Sequence, residues 1–247
     1  MAVGSLTAAS NAVEAAPFQP KEIGRKFYAD GRVRAFAGNT IISHLPQQGA
    51  GFAAFDQILN IYRALPTLGF ARKITALPPS SYHMTVFSGP TDQSRETSPW
   101  PAGLPRSAPI ADCNAMVLDR LKDFRMGVAP PFRMVVDDRD PPAKVSPITI
   151  HLRPADSESA TKLRLVRDRI ADAVGMRDAD HDDYQHHITI AYQTAAFTET
   201  DQQEYEKAQA DWMMTLRRNN VVFELGAPEY CVFHDMFAFQ RTLTLPA

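Results

Sequence analysis

The chain has 247 residues, 45% of them apolar, and a formal net charge of −2. That is enough chain for one sizeable core, and enough apolar content to exclude a disordered protein. It has no apolar run of about 18 residues, so no membrane-spanning helix is expected, and no basic stripe of the kind that grips a long nucleic acid.

Cys113 and Cys231 are the only cysteines and form no Cys-x-x-Cys pair. A disulfide framework and a cysteine zinc knuckle are therefore not expected, and free thiols in a cytoplasmic protein are the default. Residues 1–20 are small and polar, without a charged start or an apolar stretch. They read as a flexible N-terminal arm rather than a secretory signal.

Residues 37–46, AGNTIISHLP, are β-branched and end in proline, which predicts a strand. Phe55, Ile58, Leu59 and Tyr62 then recur at helical spacing, with Pro66 after the last turn. LPPSSYHMTVFSGP predicts a second strand, and residues 89–110, with five prolines, a long loop. A short helix over 111–124 carries Val117, Leu118, Leu121 and Phe124 on one face, and PFRMVVDDRDPP reads as a strand and turn. Residues 147–154 predict a strand, followed by a helix with Leu163, Val166, Ile170 and Val174 on one face and Gly175 as its stop. YQHHITIAY is the next strand. A last helix starts at a Thr200-x-x-Gln203 capping box and carries Tyr205, Ala208, Trp212 and Leu216 as a core stripe. NNVVFELG and YCVFHDMFAFQRTLTL close the chain as strands.

Two segments of this chain match, approximately 37–88 and 147–192. Each opens on a strand with His-Leu and a nearby proline, at His44 and His151. Each continues through one amphipathic helix and ends on a His-x-Thr strand, His83-Met84-Thr85 and His187-Ile188-Thr189. The interval is 39 residues in the first copy and 36 in the second. This is a weak strand–helix–strand duplication.

Residues i and i+2 of a strand share a face, so His83 projects with Thr85 and His187 with Thr189. Two such strands meeting across a cleft gather two imidazoles and two hydroxyls. Imidazoles titrate near neutrality, so one can be neutral while the other is protonated, as concerted general base and general acid catalysis requires. The hydroxyls suit phosphoryl oxygens. The chemistry that fits best is opening of a cyclic phosphodiester, with no metal or other cofactor required.

The two His-x-Thr-hydrophobic motifs, each on the last strand of a strand–helix–strand unit, resemble the two-histidine phosphoesterase superfamily. Its members include RNA 2′,3′-cyclic phosphodiesterases and 2′–5′ RNA ligase-like proteins. LPPSSYHMTVFSG resembles the family's proline-rich approach to the first motif, and AGNTIISHLP its opening strand; the resemblance covers roughly residues 33–243. It implies catalytic His83 and His187 and phosphate-binding Thr85 and Thr189. The 104-residue separation of the histidines exceeds that of compact members, and the 89–110 loop accounts for the excess. Many relatives carry arginine five residues after the second histidine. Tyr192 stands there instead, replacing a fixed charge with a ring that can stack on a base. Strand parity turns Tyr192 away from the His187 face unless a bulge or strand end intervenes.

The expected fold is α+β: residues 21–247 form one bilobal, pseudo-twofold domain of two mainly antiparallel sheets with outer helices around a central cleft. The expected activity is metal-independent hydrolysis of a cyclic phosphodiester of a nucleotide or short RNA end. His151, and similarly His44, is a candidate for the cleft lining, His186 reads as structural, and His234 lies in an aromatic strand. Two alternatives stand beside this reading. One is a metal-dependent phosphoesterase using the Asp/His-rich segment 178–187. The other is a non-catalytic nucleotide-binding module on the same fold. The linkage of the substrate, the assignment of base and acid, and the oligomeric state are not legible in the sequence.

Overall fold

The structure, a computed structural model, describes residues 19–96, 99–137 and 147–247. The expected N-terminal arm, apart from Gln19 and Pro20, and the turn after Val136, apart from Asp137, lie outside the described residues.

Among the described residues nine strands form one antiparallel sheet. They are β1 (Gly38–His44), β2 (Ile74–Ala76), β3 (His83–Thr91), β4 (Phe132–Val136), β5 (Ile148–Pro154), β6 (His187–Gln193), β7 (Phe223–Leu225), β8 (Glu229–Phe233) and β9 (Gln240–Thr244). The order is β7-β4-β5-β6-β3-β1-β8-β9, with β2 added to β6. The path is symmetric about its centre. Four strands lie on either side of the β3–β6 junction, and that ladder has the single pair Met84↔Ile188. These two residues each follow a motif histidine, so the pseudo-twofold axis runs between them. The fold is α+β, with two antiparallel half-sheets joined at this narrow seam.

Among the described residues four α-helices complete the layers: α1 (Phe52–Ala64), α2 (Ile110–Leu121), α3 (Ser157–Val174) and α4 (Glu199–Arg218). Apolar spacing explains their faces. Phe55, Ile58 and Ile61 of α1, and Leu163, Val166, Ile170 and Val174 of α3, are all buried. Asp156 caps α3 by accepting from the Ser159 amide at 2.7 Å, and Gly175 ends it at φ 65°, a conformation that costs a glycine little. None of these helices is long and apolar enough to cross a membrane.

Three expectations need correction. The capping box of α4 is Thr198 with Asp201, two residues before the expected pair. Asp201 wins because its carboxylate also pairs with Lys73, which holds its pKa down at about 2. The last segment is not one strand but a hairpin, β8 and β9, with the turn over Phe237 pinned by its amide donating to Asp235. Within 89–110 the strand persists to Thr91, and a helical turn follows at Asp92–Ser94. Arg95 ties this turn to the end of the segment by donating to the Arg106 and Ala108 carbonyls and lying 4.9 Å over the Trp100 ring.

Candidate functional site

The two units superpose motif on motif in the hydrogen-bond register. His44 stands opposite His83 in the β1–β3 ladder, and His151 opposite His187 in the β5–β6 ladder. Both motif histidines are the first residues of their strands. The preceding chain curls so that each Nδ1 lies against the carbonyl two residues back: Ser81 O at 2.6 Å from His83 and Gln185 O at 2.9 Å from His187. A carbonyl can only accept, so Nδ1 carries the proton and Nε2 is left as the reactive nitrogen on both rings.

His83, Thr85, His187 and Thr189 line one cavity of about 290 Å³. Phe36, Phe233, Phe239, Tyr184 and Tyr192 supply rings to its wall. Phe239 lies edge-on to His83 with ring centroids 4.4 Å apart. Gly89 also lines it, and a Cβ there would collide with the Asn39 carbonyl at 2.5 Å, so a side chain at this position cannot be accommodated.

A matched pair of bulges shapes the floor. Ile42 pairs with Thr85 but Ile41 with Phe87, so Val86 is the extra residue of β3. Thr149 pairs with Thr189 but Ile148 with Ala191, so Ile190 is the extra residue of β6. Each bulge falls three residues after the motif histidine and reverses strand parity there. Positions five after the histidines, Ser88 and Tyr192, therefore return to the histidine side, and both line the cavity. This supplies the bulge that simple strand parity demanded for Tyr192. The buried Arg167 of α3 braces the first bulge by donating to the Val86 carbonyl, and it also donates to His181 O at 2.8 Å.

Burial lowers the His83 pKa to about 4, against the support of the Ser81 carbonyl, and His44 and His187 push it the same way. Burial likewise lowers the His187 pKa, with His151 and Lys26 adding to the effect. Both rings are thus neutral at pH 7 in the protein as it stands.

Tyr184, three residues before His187, was not singled out from the sequence. Its phenol bonds the side chains of Ser88 and Thr85, burial raises its pKa, and Arg167 lies 4.5 Å over its ring. Its only sequence signal is its place in YQHH.

The remaining histidines fall outside the cavity wall. His151 stands beside His187, ring centroids 6.0 Å apart, with Nε2 3.1 Å from the Thr149 hydroxyl, and lines a neighbouring recess with Gln185 and His186. His44 holds the matching place beside His83 at 6.2 Å, its Nδ1 2.7 Å from the Glu229 carboxylate. His186 is buried on the other face with Nδ1 3.3 Å from the Thr85 carbonyl, a further tie across the seam. His234 is exposed. Of the Asp/His segment, His181 and Asp182 meet Asp168 with ligand atoms within 4.8 Å of one another. Arg164 and Arg177 already pair with both carboxylates at 2.6–3.2 Å, a placement that opposes a cation. His186 and His187 take no part in that cluster.

Residues 26–144 match the family model named 2H-phosphodiest, described as a domain of unknown function (DUF1868). The span holds the first motif, and the register repeats that motif at His187. Over residues 26–144 the chain is similar to the two-histidine phosphodiesterase family. This two-histidine protein is similar over 92% of its length, at 28% identity and a TM-score of 0.81, to a conserved protein of unknown function from Agrobacterium tumefaciens, 93% of which is covered. It is also similar to a phosphoesterase (13% identity, TM-score 0.44, 85% of this chain and 99% of that one). Escherichia coli LigT in apo form gives 13% identity and a TM-score of 0.43, over 87% of this chain and 100% of that one. No curated protein matches the two-histidine chain.

Proposed function

We propose that this two-histidine protein is a cyclic phosphodiesterase that acts on a nucleotide or short RNA end without a metal. The observation that carries the reading is the pair of imidazoles related by the seam, each with Nδ1 held by the i−2 carbonyl and Nε2 left for one cavity. A site for binding alone has no need of two oriented proton-transfer groups.

In the reaction one neutral imidazole takes a proton from water through Nε2 as the water oxygen attacks phosphorus. The other, as imidazolium, donates its Nε2 proton to the departing ribose oxygen as that P–O bond breaks. The product is a phosphomonoester, and one proton has moved from one histidine to the other by way of substrate and water. The Thr85 and Thr189 hydroxyls bond the phosphoryl oxygens, where negative charge accumulates. The Tyr184 bond to Thr85 orients that hydroxyl. The aromatic wall, Tyr192 included, suits a flat base. A cavity at the small end of the usual ligand range suits a mononucleotide or a chain end rather than the middle of a strand.

The test is hydrolysis of 2′,3′- and 3′,5′-cyclic nucleotides in excess EDTA, comparing wild type with His83→Ala and His187→Ala. Turnover that survives EDTA and falls about 10²- to 10⁴-fold in each variant is expected. Turnover restored only by added metal directs attention to the Asp168–His181–Asp182 cluster. Tight nucleotide binding with no turnover, unaltered in either variant, identifies a binding module.

A further inference from the structure

We infer that Lys26, from the segment ahead of the duplicated units, is the anion-binding residue that holds the phosphodiester in the cavity. The inference rests on the phosphoesterase reading of that cavity and assigns it a residue outside both motifs.

The need for such a residue follows from charge. A phosphodiester enters as an anion, and both motif histidines are neutral at pH 7 because burial disfavours their cations. Neutral hydroxyls alone do not offset that charge in a partly desolvated cavity. Of the residues lining the cavity, Lys26 is the one lysine or arginine among the described residues. Position five after the motif histidine is serine in one unit and tyrosine in the other, so neither repeat supplies a cation at that position.

The local fold aims Lys26 at the site. Phe27 is fully buried and packs on Tyr192, centroids 5.1 Å apart, and on Phe237 at 6.4 Å. Anchored by that ring, the chain doubles back: the Tyr28 amide donates to Arg32 O at 2.8 Å and the Arg34 amide to Lys26 O at 2.8 Å. Lys26 Nζ then lies 4.8 Å over the Tyr192 ring and 3.3 Å from its hydroxyl, on the His187 side of the cavity. Its carboxylate neighbour, Glu22, is 3.7 Å away and is bonded more closely by Arg25 at 2.9 Å. The long ion pair and the weak hydroxyl contact hold the ammonium in place without using up its three donors. The ammonium is also near enough to His187 to depress that ring's pKa.

Lys26→Met keeps length and apolar stem, and Lys26→Arg keeps the charge. Binding of inorganic phosphate and of adenosine 2′-monophosphate is measured by titration calorimetry at low salt, with melting temperature as the folding control. Loss of a charge-assisted bond weakens binding of both ligands about ten- to hundredfold in Lys26→Met, while Lys26→Arg stays within about threefold of wild type. The His187 pKa, followed by NMR, rises in Lys26→Met and not in Lys26→Arg, a change that a merely packing role does not produce. Wild-type affinity in a folded Lys26→Met protein overturns the inference, as does absence of phosphate binding by the wild type. Phosphate binding is read without turnover. Lys26-dependent binding in a protein that hydrolyses no cyclic nucleotide defeats the proposed activity alone. Histidine-dependent turnover with binding indifferent to Lys26 defeats this inference alone.

Discussion

The proposed mechanism predicts that substrate binding draws a proton into the cavity. With a pKa of about 4, His83 is protonated in roughly one molecule per thousand at pH 7. His187 is displaced in the same direction. General acid catalysis needs one imidazolium, so the phosphodiester must bring that proton with it. A phosphoryl charge about 4 Å from Nε2 favours the cation by about 4 kcal/mol at an effective dielectric near 20. That is about three pKa units, enough to raise one ring's pKa to near 7 in the complex. The assay is calorimetric titration with a slowly cleaved nucleoside 2′,3′-cyclic phosphorothioate in buffers of different ionisation enthalpy. Uptake of roughly half a proton to one proton is expected at pH 7, fading by pH 9. In parallel kcat/KM falls about tenfold per pH unit above the free-protein pKa values, because only the singly protonated protein is productive. No proton uptake at pH 7, together with kcat/KM flat from pH 5.5 to 7.5, would refute the two-histidine mechanism in this form.

Burial also holds the His186 pKa down at about 4. The unfolded chain accepts a proton near pH 6.5 that the folded protein refuses until about pH 4, so stability is lost as pH falls through that window, by up to roughly 3 kcal/mol. His186→Asn should flatten the fall of melting temperature between pH 7 and 4, and a slope equal to wild type counts against the assignment. Thr85→Val and Thr189→Val remove one cavity hydroxyl each with little change of volume. Each should lower kcat/KM about ten- to hundredfold with the melting temperature nearly unchanged, and unaltered kinetics would remove the hydroxyls from the phosphoryl site. Arg167→Leu leaves the Val86 and His181 carbonyls without their guanidinium donor, at about 1–3 kcal/mol each. Urea denaturation should show a loss of about 2–6 kcal/mol, and a loss under 1 kcal/mol would mean that water replaces the guanidinium.

The parts of the site legible in the sequence are those governed by strand parity. His83 with Thr85, and His187 with Thr189, share a face because i and i+2 always do in a regular strand. The helix faces were legible for the corresponding reason at period 3.6. Parity fails where a strand bulges, and hydrophobic pattern does not mark that place, since Val86 and Ile190 are as β-prone as their neighbours. Ser88 could not be read for that reason, and Tyr192 only conditionally. Lys26 was illegible for another reason. Its segment has no copy in the chain, and its position depends on burial of Phe27 against Tyr192, some 165 residues away. Tyr184 precedes its strand, where no period applies. The start of α4 was misplaced because Thr198-x-x-Asp201 and Thr200-x-x-Gln203 both satisfy the local pattern. The choice between them lies in the ion pair with Lys73, a contact between distant segments.

The duplication places two histidines at matched positions, but in the proposed mechanism a symmetric site cannot assign one as base and the other as acid. Hydrolysis is directional: water enters on one side of phosphorus and the ribose oxygen leaves on the other. The asymmetry has to come from residues that the two units do not share, and the cavity wall shows where they are. On the His187 side stand Tyr192 at the fifth position and the Lys26 ammonium above it. On the His83 side stand Ser88 at the fifth position and Phe239 across the ring. An anion drawn toward Lys26, with a base against the Tyr192 ring, takes one orientation out of the two that the scaffold allows. On the proposed mechanism the histidines supply the chemistry twice over, and the segment carrying Lys26, which belongs to neither copy, selects the direction in which it runs.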